Sequence, residues 1–342
     1  MQAAVYREQG LMEVEERPVP EVGANDVLLE VSHCGVCGSD VHFVTEGWGR
    51  PGAVEGHEWS GRVVAVGDQV KQWQVGDAAV GGPSPRCGEC EHCRSGRPSL
   101  CVTRNTPGMA VHSDGAFAEY ILTDEVSLRR VPDGMPLRVA ALAEPLAVAL
   151  HGITRSGLQA GQRLLVTGGG PIGTLSVAAA RARGVTDVVL SEPHPKRRAL
   201  AERLGARTVL PDELVSPPTP GDVVDEPFDV ALECSGNAKA MESALGQLKR
   251  GGTLVIVGAG IHRPRFDNNR ILLNELVITG AFVYDADGFE RSLELLADPR
   301  FPSDVLIEPD DAPLSDILNV IERLHEGDLA AKVMIVPHQG SS

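Results

Sequence analysis

The run RLLVTGGGPIGTLS, residues 163–176, constrains the fold of this chain more than any other feature of its sequence. A short stretch of strand character leads into a glycine-rich turn, and a helical pattern follows. Gly168, Gly170 and Gly173 have the spacing G-x-G-x-x-G. In that setting the first glycine makes a tight turn, the second lets the backbone approach a pyrophosphate, and the third permits close packing of helix and strand. The run therefore predicts a dinucleotide-binding loop, with the phosphates at a helix N-terminus.

The pattern around this loop predicts the rest of its domain. From about residue 160, compact apolar runs such as DVVLSE and TLVIVG alternate with helical patterns, which is typical of a parallel sheet covered on both faces. Six such runs fit one doubly wound nucleotide-binding sheet. The proline-rich segment 211–227 interrupts the pattern. We expect an exposed loop there, because closely spaced prolines do not sustain a helix.

The two ends of the chain differ from this middle part. Before about residue 160, runs of alternating polarity are separated by glycine and proline turns, which predicts a mostly β domain. The mixed pattern after about residue 283 is too short for a domain and is expected to return to the first one. The 342 residues thus predict an α/β protein with two domains, a mostly β domain of residues 1–150 joined by 283–342 and a nucleotide-binding domain of residues 151–282.

The acidic residue after the second predicted strand of the nucleotide-binding domain bears on the choice of cofactor. A carboxylate at Glu192 would accept from the ribose hydroxyl of NAD and repel the additional phosphate of NADP. The basic segment 194–198 follows at once and could instead hold that phosphate, although a solvated helix start is the simpler interpretation. We therefore predict NAD, with NADP as the alternative. The residues predicted to bind the cofactor are Gly168, Gly170, Pro171, Ile172, Gly173, Glu192, Arg197, Cys234, Val257 and Gly258.

A second constraint is the cysteine-rich stretch CGECEHCRSGRPSLC, residues 87–101, which contains four of the seven cysteines. Disulfides, an iron–sulfur cluster and a zinc site compete to explain it. No secretory signal is visible, so the thiols are expected to stay reduced. Ferredoxin-type clusters use a shorter step to a last cysteine that precedes proline. A closed tetrahedral zinc site, which would stabilise an exposed loop, fits better. Its predicted ligands are Cys87, Cys90, Cys93 and Cys101.

Charge and hydropathy argue against nucleic-acid and membrane partners. The formal net charge of −16 disfavours a nucleic-acid partner, because phosphate binding depends on Lys and Arg. The longest apolar region, VAALAEPLAVALHGI, contains a glutamate and a proline and is shorter than a membrane span requires. We therefore expect neither a nucleic-acid nor a membrane partner, and a cytoplasmic location.

Further metal ligands are available in two stretches, HCGVCGSDVH (33–42) and EGHEWSG (55–61). Cys37, His57 and Glu58 offer a thiolate, an imidazole and a carboxylate, which are ligand types that zinc accepts. Each of these side chains also has a structural interpretation. His57 could be a hydrogen-bonded core residue, and Glu58 an exposed residue of a strand.

Glu144 is the most informative of the remaining candidates. It lies inside the apolar helical pattern AALAEPLAVALHG, and a buried carboxylate is costly unless something pairs with it. A metal ion would pair with it well. Ser39 and Asp40, by contrast, are explained locally as helix-capping residues.

Together these motifs resemble the zinc-dependent medium-chain alcohol dehydrogenase family over essentially the whole chain. GHEWSG is similar to the family's GHE signature, CGVCGSDVH to its catalytic cysteine loop, the four-cysteine stretch to its structural-zinc lobe, and GGGPIG to its cofactor turn. AEPLAVALH resembles the polyol (sorbitol) and butanediol dehydrogenase branch, in which this glutamate replaces a cysteine ligand. The resemblance implies a GroES-like catalytic domain and a Rossmann domain.

The resemblance also implies roles for individual residues. Glu58 and Glu144 would share one protein position at the catalytic zinc. Ser39 would take the proton of the bound alcohol, and His42 would pass it toward solvent. The catalytic residues implied in this way are Cys37, Ser39, His42, His57, Glu58 and Glu144.

The expected activity is hydride transfer between a secondary alcohol, polyol or diol and NAD, in a homodimer or homotetramer with a catalytic and a structural zinc. A threonine- or aminocyclitol-type dehydrogenase of the same family is the alternative within enzymes. A non-catalytic member of the fold is the alternative outside them.

Overall fold

The computed structural model describes residues 1–83, 86–103 and 114–338. The chain divides into two compact units. Unit 1 comprises Met1–Ala147 and Tyr284–Ser342, and unit 2 comprises Val148–Val283.

The secondary-structure elements are numbered along the chain. The strands are β1 (Gln2–Glu8), β2 (Leu11–Glu16), β3 (Asp26–Gly35), β4 (Glu58–Val66), β5 (Ala78–Gly81), β6 (Tyr120–Asp124), β7 (Arg129–Arg130), β8 (Arg163–Thr167), β9 (Asp187–Ser191), β10 (Arg207–Val209), β11 (Phe228–Glu233), β12 (Leu248–Ile256), β13 (Val277–Gly280), β14 (Ala312–Pro313) and β15 (Met334–Val336). The α-helices are α1 (Gly38–Thr45), α2 (Glu91–Arg94), α3 (Leu137–Ala140), α4 (Ala143–Ser156), α5 (Pro171–Ala182), α6 (Pro195–Arg203), α7 (Ala238–Gly246), α8 (Asn268–Asn274), α9 (Gly288–Leu296) and α10 (Ile317–His325). Short 3-10 helices cover Pro98–Leu100, Glu125–Ser127, Pro211–Glu213 and Leu314–Asp316.

Unit 1 is built on a mostly antiparallel seven-stranded sheet with the order β14-β15-β3-β4-β5-β7, in which β6 also pairs with β3. β1 and β2 form a separate hairpin. Alternating apolar residues of these strands pack into one core that includes Leu29, Trp59 and Phe117. The pairing of Gly35 with Glu58 across β3 and β4 matters most for the site. It places the loop that follows β3 beside the residues that precede β4.

Unit 2 contains a six-stranded sheet with the order β10-β9-β8-β11-β12-β13, and all of its pairings are parallel. The middle of each central strand is an apolar run, residues 164–166 of β8 and 230–232 of β11, and helices lie between the strands, as expected for a sheet that is buried on both faces. β8 lies between β9 and β11. The strand order reverses direction at β8, because β9 and β10 lie on one side of it and β11 to β13 on the other. In such sheets ligands bind beyond the carboxyl ends of the strands at this reversal.

The proline-rich segment 211–227 contains only the short 3-10 helix Pro211–Glu213 and otherwise turns and bends. The predicted loop is therefore confirmed. Arg270 of α8 holds the loop, because its guanidinium donates to the carbonyls of Pro217, Thr219 and Asp222. In a helix these backbone carbonyls would accept hydrogen bonds from backbone N–H groups. In this loop the side chain of Arg270 supplies the donors instead.

The apolar stretch around Glu144 is longer in the structure than the sequence suggested. Among the described residues, Leu137–Ser156 is the one helical stretch that is long and apolar enough to cross a membrane by length and composition. The expectation that this region is too short was wrong, because the helical turn α3 extends it toward the N-terminus. The most apolar part of this stretch is 72% buried inside the protein, and a core helix has the same length and composition.

Candidate metal centres and dinucleotide site

The four clustered cysteines converge in unit 1. Their Sγ atoms all lie within 4.8 Å of one another. Cys90 caps the N-terminus of α2, which contains Cys93, and Cys101 follows the short helix Pro98–Leu100. All seven cysteines of the chain are free of disulfides.

Backbone amides point at these sulfur atoms. The N–H groups of Cys90 and Cys93 donate to the sulfurs of Cys87 and Cys90 at 3.3 and 3.5 Å. Such donors stabilise thiolates, and backbone hydrogen bonds from Glu89 and Cys90 lower the pKa of Cys87 to about 6. Burial, in contrast, raises the pKa of Cys93 to about 11, so the assignment of a metal site rests on the geometry: four sulfurs at this spacing fit a closed tetrahedral zinc site.

Replacing Cys90 with serine is expected to cost roughly 3 kcal/mol or more of unfolding free energy, a part of the ~10–16 kcal/mol that structural zinc can contribute to folding. The zinc content should fall by about one ion per chain, on four ligands per ion. Urea unfolding and metal analysis measure the two effects. Cys234→Ala, a thiol outside both clusters, is the control and should keep the wild-type zinc content. An unchanged zinc content in Cys90→Ser would contradict the assignment.

A second group of possible ligands comprises Cys37, His57 and Glu58, whose ligand atoms lie within 4.8 Å of one another. Cys37 ends the loop after β3, and Glu58 begins β4. The antiparallel pairing of these strands brings the two loops together. Burial is the largest single effect and lowers the pKa of His57, but the charges of Asp40, Cys37 and Glu144 and a hydrogen bond to Cys37 together raise it well above its usual value. A position that attracts a proton so strongly also suits a metal cation.

Asp40 is a functional candidate that the sequence interpretation treated only as a helix cap. It is fully buried, and its Oδ1 lies 3.7 Å from Nδ1 of His57. Its other oxygen accepts from the N–H of Cys37 at 2.8 Å. One carboxylate therefore fixes the backbone of Cys37 through a hydrogen bond and places a negative charge beside the imidazole of His57 without bonding to the ring. The C-x-x-D spacing of Cys37 and Asp40 was the available signal.

Lys332 was missed by the sequence interpretation. Its ammonium group lies 2.6 Å from Oε2 of Glu58 and also donates to the carbonyl of Val36 at 2.9 Å. Both charged side chains are buried, with relative exposures of 1% for Lys332 and 0% for Glu58. Burial is the largest single effect and lowers the pKa of Lys332, but the charges of Glu58, Cys37 and Asp40 and the hydrogen bond to Glu58 together raise it. Lys332 thus binds the candidate ligand Glu58 and the backbone of Val36, the residue before the candidate ligand Cys37.

Glu144 lies near this group without being part of the three-residue cluster. It is 4% exposed, and burial raises its pKa to about 8. Gly82 packs against both Glu144 and His57: a Cβ placed on it would lie 2.7 Å from Cγ of Glu144 and 3.0 Å from the carbonyl oxygen of His57. The side chain of Glu144 therefore lies close to the backbone of His57. Of the two glutamates predicted to share a position, Glu58 is thus the one inside the compact group.

Ser39 and His42 both lie on α1, directly after Cys37. Nδ1 of His42 lies 2.9 Å from a carboxylate oxygen of Glu46, and its ring stacks on Trp48 with centroids 5.1 Å apart. His42 is partly exposed, which a group that exchanges protons with solvent requires.

In unit 2, the glycine turn has the backbone that the sequence predicted. Gly168 has φ +95, which favours glycine, and a Cβ on Gly173 would lie 1.9 Å from the carbonyl oxygen of Gly168. Helix α5 begins at Pro171 directly after the turn. Its first amides are therefore oriented toward the space where phosphates would bind.

Glu192 lies beside this turn and is 3% exposed. Its carboxylate accepts from the N–H of Gly169 at 2.6 Å and from the N–H of His194 at 2.9 Å. Arg198 is engaged by the carbonyls of Glu192 and Pro193, which favours the structural interpretation of at least this basic residue.

The remaining predicted cofactor residues lie along the same edge of the sheet or just beyond it. Arg197 is on α6, and a Cβ on Gly169 would lie 3.2 Å from its Cβ. Cys234 follows β11, with its sulfur 4.0 Å from Oγ of Ser176. The N–H groups of Val257 and Gly258 donate to the backbone carbonyl of Glu233, both at 2.8 Å.

Comparison with known proteins places this architecture in a family. Residues 23–133 match the alcohol dehydrogenase GroES-like domain, and residues 171–298 match the zinc-binding dehydrogenases. The chain is 34% identical to the sorbitol dehydrogenase of Bacillus subtilis (strain 168), with 99% of this chain and 98% of that one covered. The chain belongs to the zinc-dependent medium-chain alcohol dehydrogenase family. The family and the α/β fold class predicted from the sequence are confirmed.

Two further relatives of this medium-chain dehydrogenase are informative. An L-threonine 3-dehydrogenase of Chelativorans sp. (strain BNC1) is 36% identical, with 87% of each chain covered. The solved structure of a protein described as a zinc-binding dehydrogenase from Sinorhizobium meliloti 1021, bound to NADP, is 33% identical with a TM-score of 0.86, covering 98% of this chain and 99% of that one. The chain is accordingly an oxidoreductase that acts on CH–OH groups with zinc and a nicotinamide dinucleotide.

Proposed function

We propose that this dehydrogenase transfers a hydride between a secondary alcohol, polyol or diol and NAD, with a catalytic zinc held by Cys37, His57 and a glutamate. The compact thiol–imidazole–carboxylate group carries the proposal. Three protein ligands leave a position for substrate, as catalytic zinc sites do. The four-cysteine group would hold the structural zinc.

The residues of unit 1 would divide the work as follows. Zinc, when bound, supplies Lewis acidity to the alcohol oxygen, and the nicotinamide accepts the hydride. Cys37 and His57 would hold the metal, with the Asp40 carboxylate bonded to the backbone of Cys37 and its negative charge beside His57. The hydroxyl of Ser39 accepts the alcohol proton, and His42 passes it to solvent.

We further propose that unit 1 is the catalytic domain and unit 2 the dinucleotide-binding domain, in line with the predicted ranges 1–150 with 283–342 and 151–282. The donor groups for both zinc ions belong to unit 1. The glycine turn and Glu192 belong to unit 2.

A preference for NAD over NADP is expected from Glu192. Its Oε2 accepts one amide hydrogen, which leaves a lone pair for a ribose hydroxyl. Glu192→Ala should reduce the ratio of kcat/KM for NAD to that for NADP by about tenfold. This is the loss expected when one hydrogen bond to a charged group is removed. Glu202→Ala, on helix α6 that follows Glu192 and bonded to Thr208, is the control. A wild-type enzyme that prefers NADP would overturn this expectation.

One experiment tests the proposed activity against its main alternative. Purified enzyme is supplied with NAD or NADP and with sorbitol, 2,3-butanediol, L-threonine, an aminocyclitol and a simple alcohol, and cofactor reduction is recorded. The polyol proposal predicts the highest kcat/KM for sorbitol or the diol. The threonine alternative has support in the 36% identity to a threonine dehydrogenase. Turnover of threonine alone would decide for that alternative, and zinc-loaded protein inactive on every substrate would favour a non-catalytic member.

We also propose a cytoplasmic homodimer or homotetramer without nucleic-acid or membrane partners. The net charge of −16 supports the absence of nucleic acid. In the described part of the chain, β13 pairs on one side only, and the exposed side chains of Leu272, Val277 and Phe282 lie on or near it. An unpaired edge with apolar neighbours is a surface that a second copy could cover. Light scattering on the purified protein tests the oligomer.

A further inference from the structure

The glycine turn after β8 lies between two acidic residues, one just after β9 and one at the end of β11. On the side of β9, Glu192 accepts from the N–H of Gly169, as described above. On the side of β11, the last residue of the strand is Glu233, which is fully buried. Neither the proposed reaction nor the proposed zinc chemistry uses Glu233.

Glu233 accepts hydrogen bonds from the loop that follows its own strand and, at 3.5 Å, from the hydroxyl of Thr167 at the end of β8. One carboxylate oxygen accepts from the N–H of Ser235 at 2.8 Å and from the hydroxyl of the same serine. The other accepts from the N–H of Gly236 at 3.2 Å. Burial raises the pKa of Glu233, whereas these hydrogen bonds oppose that shift because they favour the carboxylate.

Ser235, which Glu233 holds in this way, packs directly against Gly168 of the glycine turn. A Cβ placed on Gly168 would lie 2.8 Å from both the backbone nitrogen and the Cβ of Ser235. The loop also leans on the next strand end, because a Cβ on Gly236 would lie 1.9 Å from the carbonyl oxygen of Ala259. The backbone of Gly168 therefore lies too close to Ser235, and that of Gly236 too close to Ala259, for even one added carbon atom. A shift of the loop would thus also move the turn.

We infer that Glu233 is a positioning residue for the cofactor: it fixes Ser235 against Gly168, so that the glycine turn keeps the shape that receives the pyrophosphate. This inference rests on the proposed dinucleotide function of unit 2. Its physical basis is preorganisation. A loop already held in its binding shape loses less conformational entropy when the ligand binds, and that saving appears as affinity.

The test is Glu233→Gln, which keeps the size of the side chain but replaces one acceptor oxygen by a donor that faces amide N–H groups. Asp229→Asn is a matched control on the same strand. Asp229 also accepts a backbone hydrogen bond, from Arg163 at 2.7 Å, but it lies at the opposite end of β11. Zinc-loaded wild type and both variants are titrated with NADH, and each variant's melting temperature is recorded.

Glu233→Gln should weaken NADH binding by about tenfold, the loss expected for one charge-assisted hydrogen bond, and Asp229→Asn should bind like wild type even if both variants melt earlier. Ser235→Ala removes the hydroxyl that donates to Glu233 and accepts from the N–H of Asn237, and it should also weaken NADH binding. It serves as the test if Glu233→Gln does not fold. Wild-type affinity in a folded Glu233→Gln or in Ser235→Ala would overturn the inference. Equal weakening in Asp229→Asn would also overturn it. A wild-type protein that binds neither dinucleotide would instead overturn the cofactor proposal itself.

Discussion

Replacing Cys37 with alanine should lower kcat/KM by about a thousandfold or more while the chain stays folded. The thiolate is one of three ligands in the compact group, and metal polarisation of the substrate oxygen contributes several kcal/mol to catalysis, at about 1.4 kcal/mol per tenfold change in rate. The thiol is only partly buried, so its removal leaves little cavity. Steady-state kinetics, far-UV circular dichroism and metal analysis on one preparation measure the outcome.

Cys34→Ala is the matched control for this variant. Cys34 lies at the end of β3, close to Cys37 in the sequence, and is fully buried, but it is outside the ligand group. Its loss should affect stability more than activity, the reverse of Cys37. A Cys37→Ala enzyme that retains both zinc ions and its turnover would remove the catalytic site from this position. Unfolding of Cys37→Ala would assign the residue to the structure rather than to the chemistry.

Much of the fold could be predicted because its signals are local. Fully apolar strands that alternate with helical patterns require a sheet covered on both faces, and the six-stranded parallel sheet of unit 2 has that form. The glycine turn was predictable for the same reason. Gly168 and Gly173 are needed by backbone geometry within one short segment, so the sequence spacing already contains the constraint.

The candidate site could be predicted only as far as its motifs reach. Cys37, His57 and Glu58 lie in two short stretches that strand pairing brings together. Lys332 does not, since 274 positions separate it from Glu58. The only sequence signal for it was a lysine inside the apolar run AAKVMIVP. Glu144 illustrates the opposite case: the cost of burying its carboxylate was evident, but its distance from the metal group depends on packing that a sequence does not contain.

The largest stability effect is expected for Lys332→Met, at about 3–5 kcal/mol of unfolding free energy. Methionine fills a similar volume but removes the ammonium that faces Glu58 in a site where both side chains are buried. The carboxylate would then be left charged and without its cation, and the carbonyl of Val36 would lose a donor. Chemical unfolding of the purified enzyme, with zinc content recorded for each sample, measures the loss.

Two comparisons isolate the buried pair as the cause. Lys249→Met breaks the ion pair with Asp229, in which the lysine is 46% exposed, and should cost no more than about 1 kcal/mol. The double variant Lys332→Met with Glu58→Gln removes both charges and should be more stable than Lys332→Met alone, because no unpaired charge remains. A loss in Lys332→Met no greater than in Lys249→Met would mean that Glu58 is neutral or paired elsewhere. The lysine would then fill space at the metal group rather than balance its charge.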